Sequence, residues 1–262
     1  MKRASFWPWL WLALGAAYFI IPLAATMQFS LQAKRGTLGF TAYANIFRDG
    51  NFFSSFAFSF QTAMATILIS VLLIVPTAYW VQLRLPQARR LIELLTLLPF
   101  VVPAVVLVFS LARTYNGTPL TNSREGLRVL LTGAYVVLSF PYMYRSVDTG
   151  LRAINVRALT EAAQILGAGW PTILLRVILP NVLLSVLSGA FITFAIVMGE
   201  FTIASLLAQP AFGPYISLLS SSKVYEPSAL AVVSFALTWA SIGLIQFLSR
   251  GTPGQGQMAG PR

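Results

Sequence analysis

Cysteine and histidine are both absent from these 262 residues. Their absence removes disulfides, thiolate and imidazole metal sites, and every nucleophile that depends on a Ser-His or Cys-His pair. Charge is scarce as well: 10% of residues are charged, where an ordinary soluble domain carries roughly 25%. The acidic residues are Asp49, Glu93, Glu125, Asp148, Glu161, Glu200 and Glu226, and no two of them form a persuasive acid-base pair. The nucleotide-binding pattern G-x-x-x-x-G-K-[ST] is missing too. No catalytic, cofactor or metal site is expected in the chain, and it does not read as an enzyme.

What fills the sequence is apolar: 57% of residues are hydrophobic and the mean hydropathy is +0.75. A membrane-spanning helix needs about 20 apolar residues, because backbone polar groups in hydrocarbon must be satisfied within the segment. Six stretches qualify: Trp7 to Gln28, Phe56 to Val81, Leu91 to Ala112, Val129 to Tyr144, Leu183 to Leu207 and Ala229 to Leu248. The first is too long for the core of a cleaved signal and reads as a retained helix. Trp7, Trp9 and Trp11 suit an interfacial aromatic belt. Pro76, Pro99, Pro103 and Pro141 are expected to kink their helices, and Pro141 falls in the last turn of the fourth.

The net charge of +11 would suggest a nucleic-acid partner in a soluble protein. In a membrane chain, basic loops are what insertion itself selects. With the N-terminus in the cytoplasm, the inner segments hold Lys2, Arg3, Arg84, Arg89, Arg90, Arg145, Arg152, Arg157, Arg176, Arg250 and Arg262. The outer segments hold Lys34, Arg35, Arg48, Arg113, Arg124, Arg128 and Lys223. The bias runs in the direction of the positive-inside rule and places both termini inside. The domain reading is one transmembrane domain over 1–250, with a cytoplasmic loop at about 145–182 and a disordered tail at 251–262.

Within that loop, Asn155 is a plausible N-cap and VRALTEAAQILGA reads as about three helical turns. Leu159, Ala162, Ala163 and Leu166 share one face, while Arg157, Glu161 and Gln164 lie largely elsewhere. Gly167 and Gly169 suit a left-handed stop, and Trp170-Pro171 restricts the new direction. The pattern alone suits either a helix lying on lipid headgroups or one docked on another protein.

A resemblance shifts the weight toward docking. Glu161-Ala162-Ala163, three residues, Gly167, nine residues, then Val177-x-Leu179-Pro180 resembles the EAA signature of the membrane subunits of binding-protein-dependent ABC importers. Isoleucine is common in that family where Val177 stands here. The resemblance implies an all-α permease of six spanning helices, the type I ABC importer permease fold, with a coupling helix between the fourth and fifth. It implies that Glu161, Ala162, Ala163, Leu166 and Gly167 contact an ATPase subunit, with Glu161 the polar anchor. It further implies two ATPase subunits that bind ATP and Mg, a second permease, an extracytoplasmic binding protein, and residence in the bacterial inner membrane. The short N-terminus and GEFTIASLLAQP, Gly199 to Pro210, are similar to the polyamine branch, which carries spermidine or putrescine and usually pairs two non-identical permeases. Ferric iron, thiamine and phosphonate carriers are its relatives.

Two carboxylates within apolar segments need separate readings. Glu200, near the outer end of the fifth segment, is a candidate for the translocation path of a cationic cargo, or equally a carboxylate satisfied by a neighbour or the interface. Glu93 is expected to pair locally with Arg89 and Arg90 at the cytoplasmic edge. A secondary transporter is the alternative from another class, but no half of the chain repeats the other and that class leaves the EAA segment unexplained.

Overall fold

The computed structural model describes residues 6–33 and 38–249, and the regular elements among them are all helical. In chain order they are α1 (Phe6–Ser30), α2 (Thr41–Arg48), α3 (Gly50–Arg84), a 3-10 turn at Pro86–Ala88, α4 (Arg89–Val101), α5 (Ala104–Thr114), α6 (Pro119–Asn122), α7 (Arg124–Ala153) and α8 (Val156–Ile165). There follow α9 (Trp170–Thr172), a π-helical stretch Ile173–Ile178, α10 (Leu179–Asn181), α11 (Leu183–Gly199), α12 (Thr202–Leu206), α13 (Phe212–Ser222) and α14 (Glu226–Ser249). Lys2, Arg3, Lys34, Arg35, Arg250, Arg262 and the tail at 251–262, all used in the sequence reading, lie outside the described residues.

Contacts divide the chain into two compact units, Met1–Phe53 with Tyr215–Ser241 and Ser54–Pro214 with Ile242–Arg262. In the first, α1 leaves its apolar surface uncovered within the chain, with Trp7, Trp9 and Trp11 all largely exposed. Polar bonds hold this unit where apolar burial is thin. The Ser30 and Tyr43 hydroxyls meet at 2.7 Å, and Asn45 Nδ2 donates to Glu226 Oε1 at 2.9 Å. The Tyr215 hydroxyl donates to Asp49 Oδ2 at 3.0 Å; burial first, then this carboxylate partner, pushes the phenol well above its ordinary value.

The second unit has two apolar cores. One joins Ile74, Val75 and Tyr79 of α3 to Met143, Val147 and Leu151 of α7, with Val156 and Ala163 of α8 and Ile173, Leu174 and Ile178 of the π-helical stretch. The other gathers Ala63, Val108, Leu131, Tyr135, Val197 and Ile203. α7 and α11 cross closely because glycine stands at two contact points. A Cβ on Gly189 would lie 2.9 Å from Met143 Sδ, and one on Gly150 would overlap Ser185. Small residues at a crossing let backbones approach in the absence of a strong hydrophobic drive between membrane helices.

Each of the six apolar segments is helical, but three differ from the expected form. The third is broken at Val102-Pro103 and bends by 92° between Pro86–Val101 and Ala104–Thr114. Pro99 and Pro103 have no N–H to donate, so the α-helical ladder fails there. The fourth extends to Arg124–Ala153, with Pro141 inside it and not in its last turn. The first nine residues of the supposed 145–182 loop are therefore helical. The fifth stops at Gly199, and Glu200 opens a separate short helix. Among the described residues, α1, α3 and α7 are each long and apolar enough to cross a membrane alone, and the bent pairs around Val102 and Val182 raise the number to five if each is one span.

Candidate functional site

The segment Val156–Ile165 folds as the short helix α8, and its ends show why. Asn155 Oδ1 accepts from the Ala158 N–H at 3.1 Å, satisfying one of the orphan donors of the first turn. At the other end Gly167 takes φ +79°, the Ala168 N–H donates to the Ala163 carbonyl at 3.0 Å, and the Gly167 N–H to the Gln164 carbonyl at 2.9 Å. Those two bonds form a Schellman stop, which requires the left-handed residue that glycine supplies. Gly169 is not left-handed; its φ is −74°.

The buried stripe of α8 is Val156, Thr160 and Ala163, with Leu159 partly buried. This rotates the packed face away from the Leu159, Ala162, Ala163 and Leu166 face read from the sequence. Ala162 is exposed, Leu166 is 87% exposed and Ile165 86%. The reason is Thr160: its hydroxyl returns to the Val156 carbonyl at 2.7 Å and meets the Tyr79 hydroxyl at 3.1 Å, so a polar residue is accommodated in the packed face. Glu161 faces solvent, with Arg157 Nε 3.4 Å from its Oε1. Such an exposed pair adds little stability. The helix is therefore wedged against α3, α7 and the π-helical stretch on one side and presents Glu161, Ala162, Ile165 and Leu166 on the other.

Glu200 has a different setting. Its Oε1 accepts from the Ile203 N–H at 2.8 Å, and its Oε2 from the Ala204 N–H at 3.1 Å and the Tyr135 hydroxyl at 2.9 Å. The carboxylate is a cap for α12 tied to α7, and both of its oxygens are committed to protein donors. Gly213 packs on the Glu200 carbonyl so closely that a Cβ there would overlap it.

At the start of α4, Arg89 Nη2 lies 3.0 Å from Glu93 Oε1, the pairing expected, and 2.9 Å from Asp148 Oδ2, which was not. Arg152 Nη2 approaches the same oxygen at 2.7 Å. Asp148 is buried beneath two arginines and joins α4 to α7. The i, i+4 spacing of Asp148 and Arg152 was legible in the sequence; the partner across 59 positions was not.

Residues 76–250 match the family model described as binding-protein-dependent transport system inner membrane component. The chain belongs to this family. Among relatives of the importer permease, a probable molybdenum ABC transporter permease of Haloferax volcanii is 32% identical over 192 residues, 68% of this chain and 70% of that protein. The spermidine/putrescine permease PotC of Haemophilus influenzae is 31% identical over 121 residues, 45% of this chain and 47% of that protein. A solved bacterial alginate ABC transporter, in complex with a periplasmic protein carrying an alginate pentasaccharide, superimposes with a TM-score of 0.72 at 14% identity over 94% of both chains. The chain is thus a multi-pass inner membrane component of the binding-protein-dependent transport family, and a non-catalytic one.

Proposed function

We propose that this permease passes cargo from an external binding protein to the cytoplasm, and that α8 is the coupling helix received by an ATPase subunit. The observation that carries the reading is the two-sidedness of α8. One stripe is locked into the core shared with α3 and α7, while Glu161, Ala162, Ile165 and Leu166 are exposed where the EAA signature expects a partner. A helix with those two faces transmits displacement between an ATPase groove and the spanning helices. In this reading Glu161 is the polar anchor and Gly167 sets the exit. Two ATPase subunits hold ATP and Mg, a second permease completes the pathway, and both termini lie in the cytoplasm.

Cargo class is the finer question. A polyamine is supported by the similarity to PotC and to the Gly199 to Pro210 stretch of that branch. The charge argument for it has gone, because Glu200 is occupied as a cap and no longer stands as a free carboxylate for a cation. The molybdenum permease, whose similarity spans more of the chain, supports an oxyanion, the form molybdenum takes in neutral water. We favour the oxyanion.

The test is reconstitution with the ATPase subunits and the binding protein. ATP-dependent uptake into proteoliposomes, abolished together with ATPase co-purification when the exposed face of α8 is altered at Glu161 and Leu166, is the expected result. Retention of both in the altered complex removes the coupling role.

A further inference from the structure

Between α4, α7 and α11 lies a cavity of about 550 Å³. Its polar lining is Tyr142, Arg145, Ser146 and Thr149 of α7 with Ser185 and Ser188 of α11; Phe100 and Ile192 belong to its apolar wall, and no carboxylate borders it. Arg145 also borders a second cavity of about 400 Å³, together with Tyr144, Thr149 and Arg152. Glu93 and Asp148 line that second space, but both are already paired, Glu93 with Arg89 and Asp148 with Arg89 and Arg152. Arg145 itself has no ion pair or hydrogen bond from its side chain among the described residues. It precedes Asp148 by three positions on one helix, a rise of about 4.5 Å. Its side chain is exposed and borders both spaces, so its charge is open toward them without a protein partner among the described residues.

Three further donors in these spaces are open. The Ser146 and Ser185 hydroxyls make no hydrogen bond among the described residues. The Tyr144 hydroxyl is buried and has no hydrogen-bond partner among the described residues, and its residue lines the cavity of about 400 Å³. A buried hydroxyl without a partner costs about 1–3 kcal/mol and calls for a ligand or water. A guanidinium presents a planar fork of donors that fits the oxygens of a tetrahedral anion, and hydroxyls complete such a shell without adding charge. A cation would meet Arg145 with nothing to offset it.

We propose that this cleft is an oxyanion subsite organised on Arg145, a way station through which the cargo anion leaves the membrane. The proposal rests on the permease reading and names the residues that recognise its cargo. Lipid phosphate shares the same chemistry, so lipid composition belongs in the experiment.

The full complex, with ATPase subunits and binding protein, is reconstituted in vesicles of phosphatidylcholine alone and of phosphatidylcholine with phosphatidylglycerol. Uptake of radiolabelled molybdate, sulfate, inorganic phosphate and spermidine is followed at saturating binding protein. We expect uptake of one of the anions, a fall of about tenfold with Arg145→Gln in both lipid mixtures, and only partial recovery with Arg145→Lys, which keeps the charge but not the fork. Assembly is read separately as ATPase co-purification and stays intact. Four results overturn the subsite: spermidine uptake without anion uptake, an unchanged rate in Arg145→Gln, a fall confined to vesicles with phosphatidylglycerol, which assigns the site to lipid, or a fall accompanied by lost assembly. An original chain that neither assembles with the ATPase nor takes up any probe overturns instead the permease reading.

Discussion

The Tyr79 hydroxyl lies 3.1 Å from the Thr160 hydroxyl in a buried contact that fastens α3 to the middle of α8. Thr160 already donates to the Val156 carbonyl, so the shared proton belongs to Tyr79 and Thr160 accepts it. Roles are therefore unequal, and so are the costs of deleting them. Any displacement of α8 by a partner pulls on α3 through this bond and the Val156 and Ala163 packing beside it.

Tyr79→Phe removes a donor and leaves an acceptor that keeps its bond to Val156. Thr160→Val leaves the Tyr79 hydroxyl buried without an acceptor. We expect about 0.5–1.5 kcal/mol of destabilisation for the first and about 1–3 for the second. Chemical denaturation of the purified subunit in detergent measures both; equal losses would mean that Tyr79 does not donate.

Glu161→Ala should leave stability almost untouched, since its pair with Arg157 is solvent-exposed. Uptake and ATPase co-purification should both fall. Gly167→Ala meets no atom within 4 Å of the new Cβ but forces a side chain to φ +79°, costing about 1–2 kcal/mol in backbone strain alone. If melting temperature drops sharply for Glu161→Ala, or uptake survives, the solvent face of α8 is not the docking face.

Glu200→Gln is not a conservative change. It puts an amide NH2 opposite either the Ile203 N–H or the pair formed by the Ala204 N–H and Tyr135 hydroxyl. A loss of about 1–3 kcal/mol is expected, with Tyr135→Phe milder because the cap survives. Should Glu200→Gln slow uptake at unchanged melting temperature, the carboxylate serves the pathway rather than the fold.

Gln164 and Asn116 are exposed and lie near opposite ends of the spanning helices of the second unit. In a chain without cysteine, single cysteines at these positions report sidedness directly. An impermeant maleimide added to intact cells should label the Asn116→Cys protein and spare the Gln164→Cys protein; the reverse pattern inverts the topology.

Local signals carried far in this sequence. The Asn155 cap, the Gly167 stop and the helical character of all six apolar segments follow from single residues and short runs. So does the pairing of Arg89 with Glu93. What the sequence concealed depends on distance. Nothing within ten residues of Thr160 announces that Tyr79 will accommodate it in a packed face, so the apolar moment chose a face one position away. Asp148 had a visible partner in Arg152 and a hidden one in Arg89. Glu200 carried two readings for a similar reason, since a carboxylate in an apolar run has no visible donors until the helix ending at Gly199 frees the Ile203 and Ala204 amides to bind it. Pro103 differs again: its position was plain, but the 92° size of the bend is not written in the proline.

The 92° break at Val102-Pro103 has a bearing on where lipid can lie. Backbone carbonyls ahead of a missing donor keep unused lone pairs, and Val101, Val102 and Pro103 are exposed in this chain. Acyl chains offer such groups nothing, so irregular backbone at membrane depth survives only against protein or water. The corner is therefore a no-go zone for hydrocarbon. Its apolar valines advertise an oily surface while the backbone beneath them demands a wet or proteinaceous one, and in the membrane it is the backbone whose demand must be met.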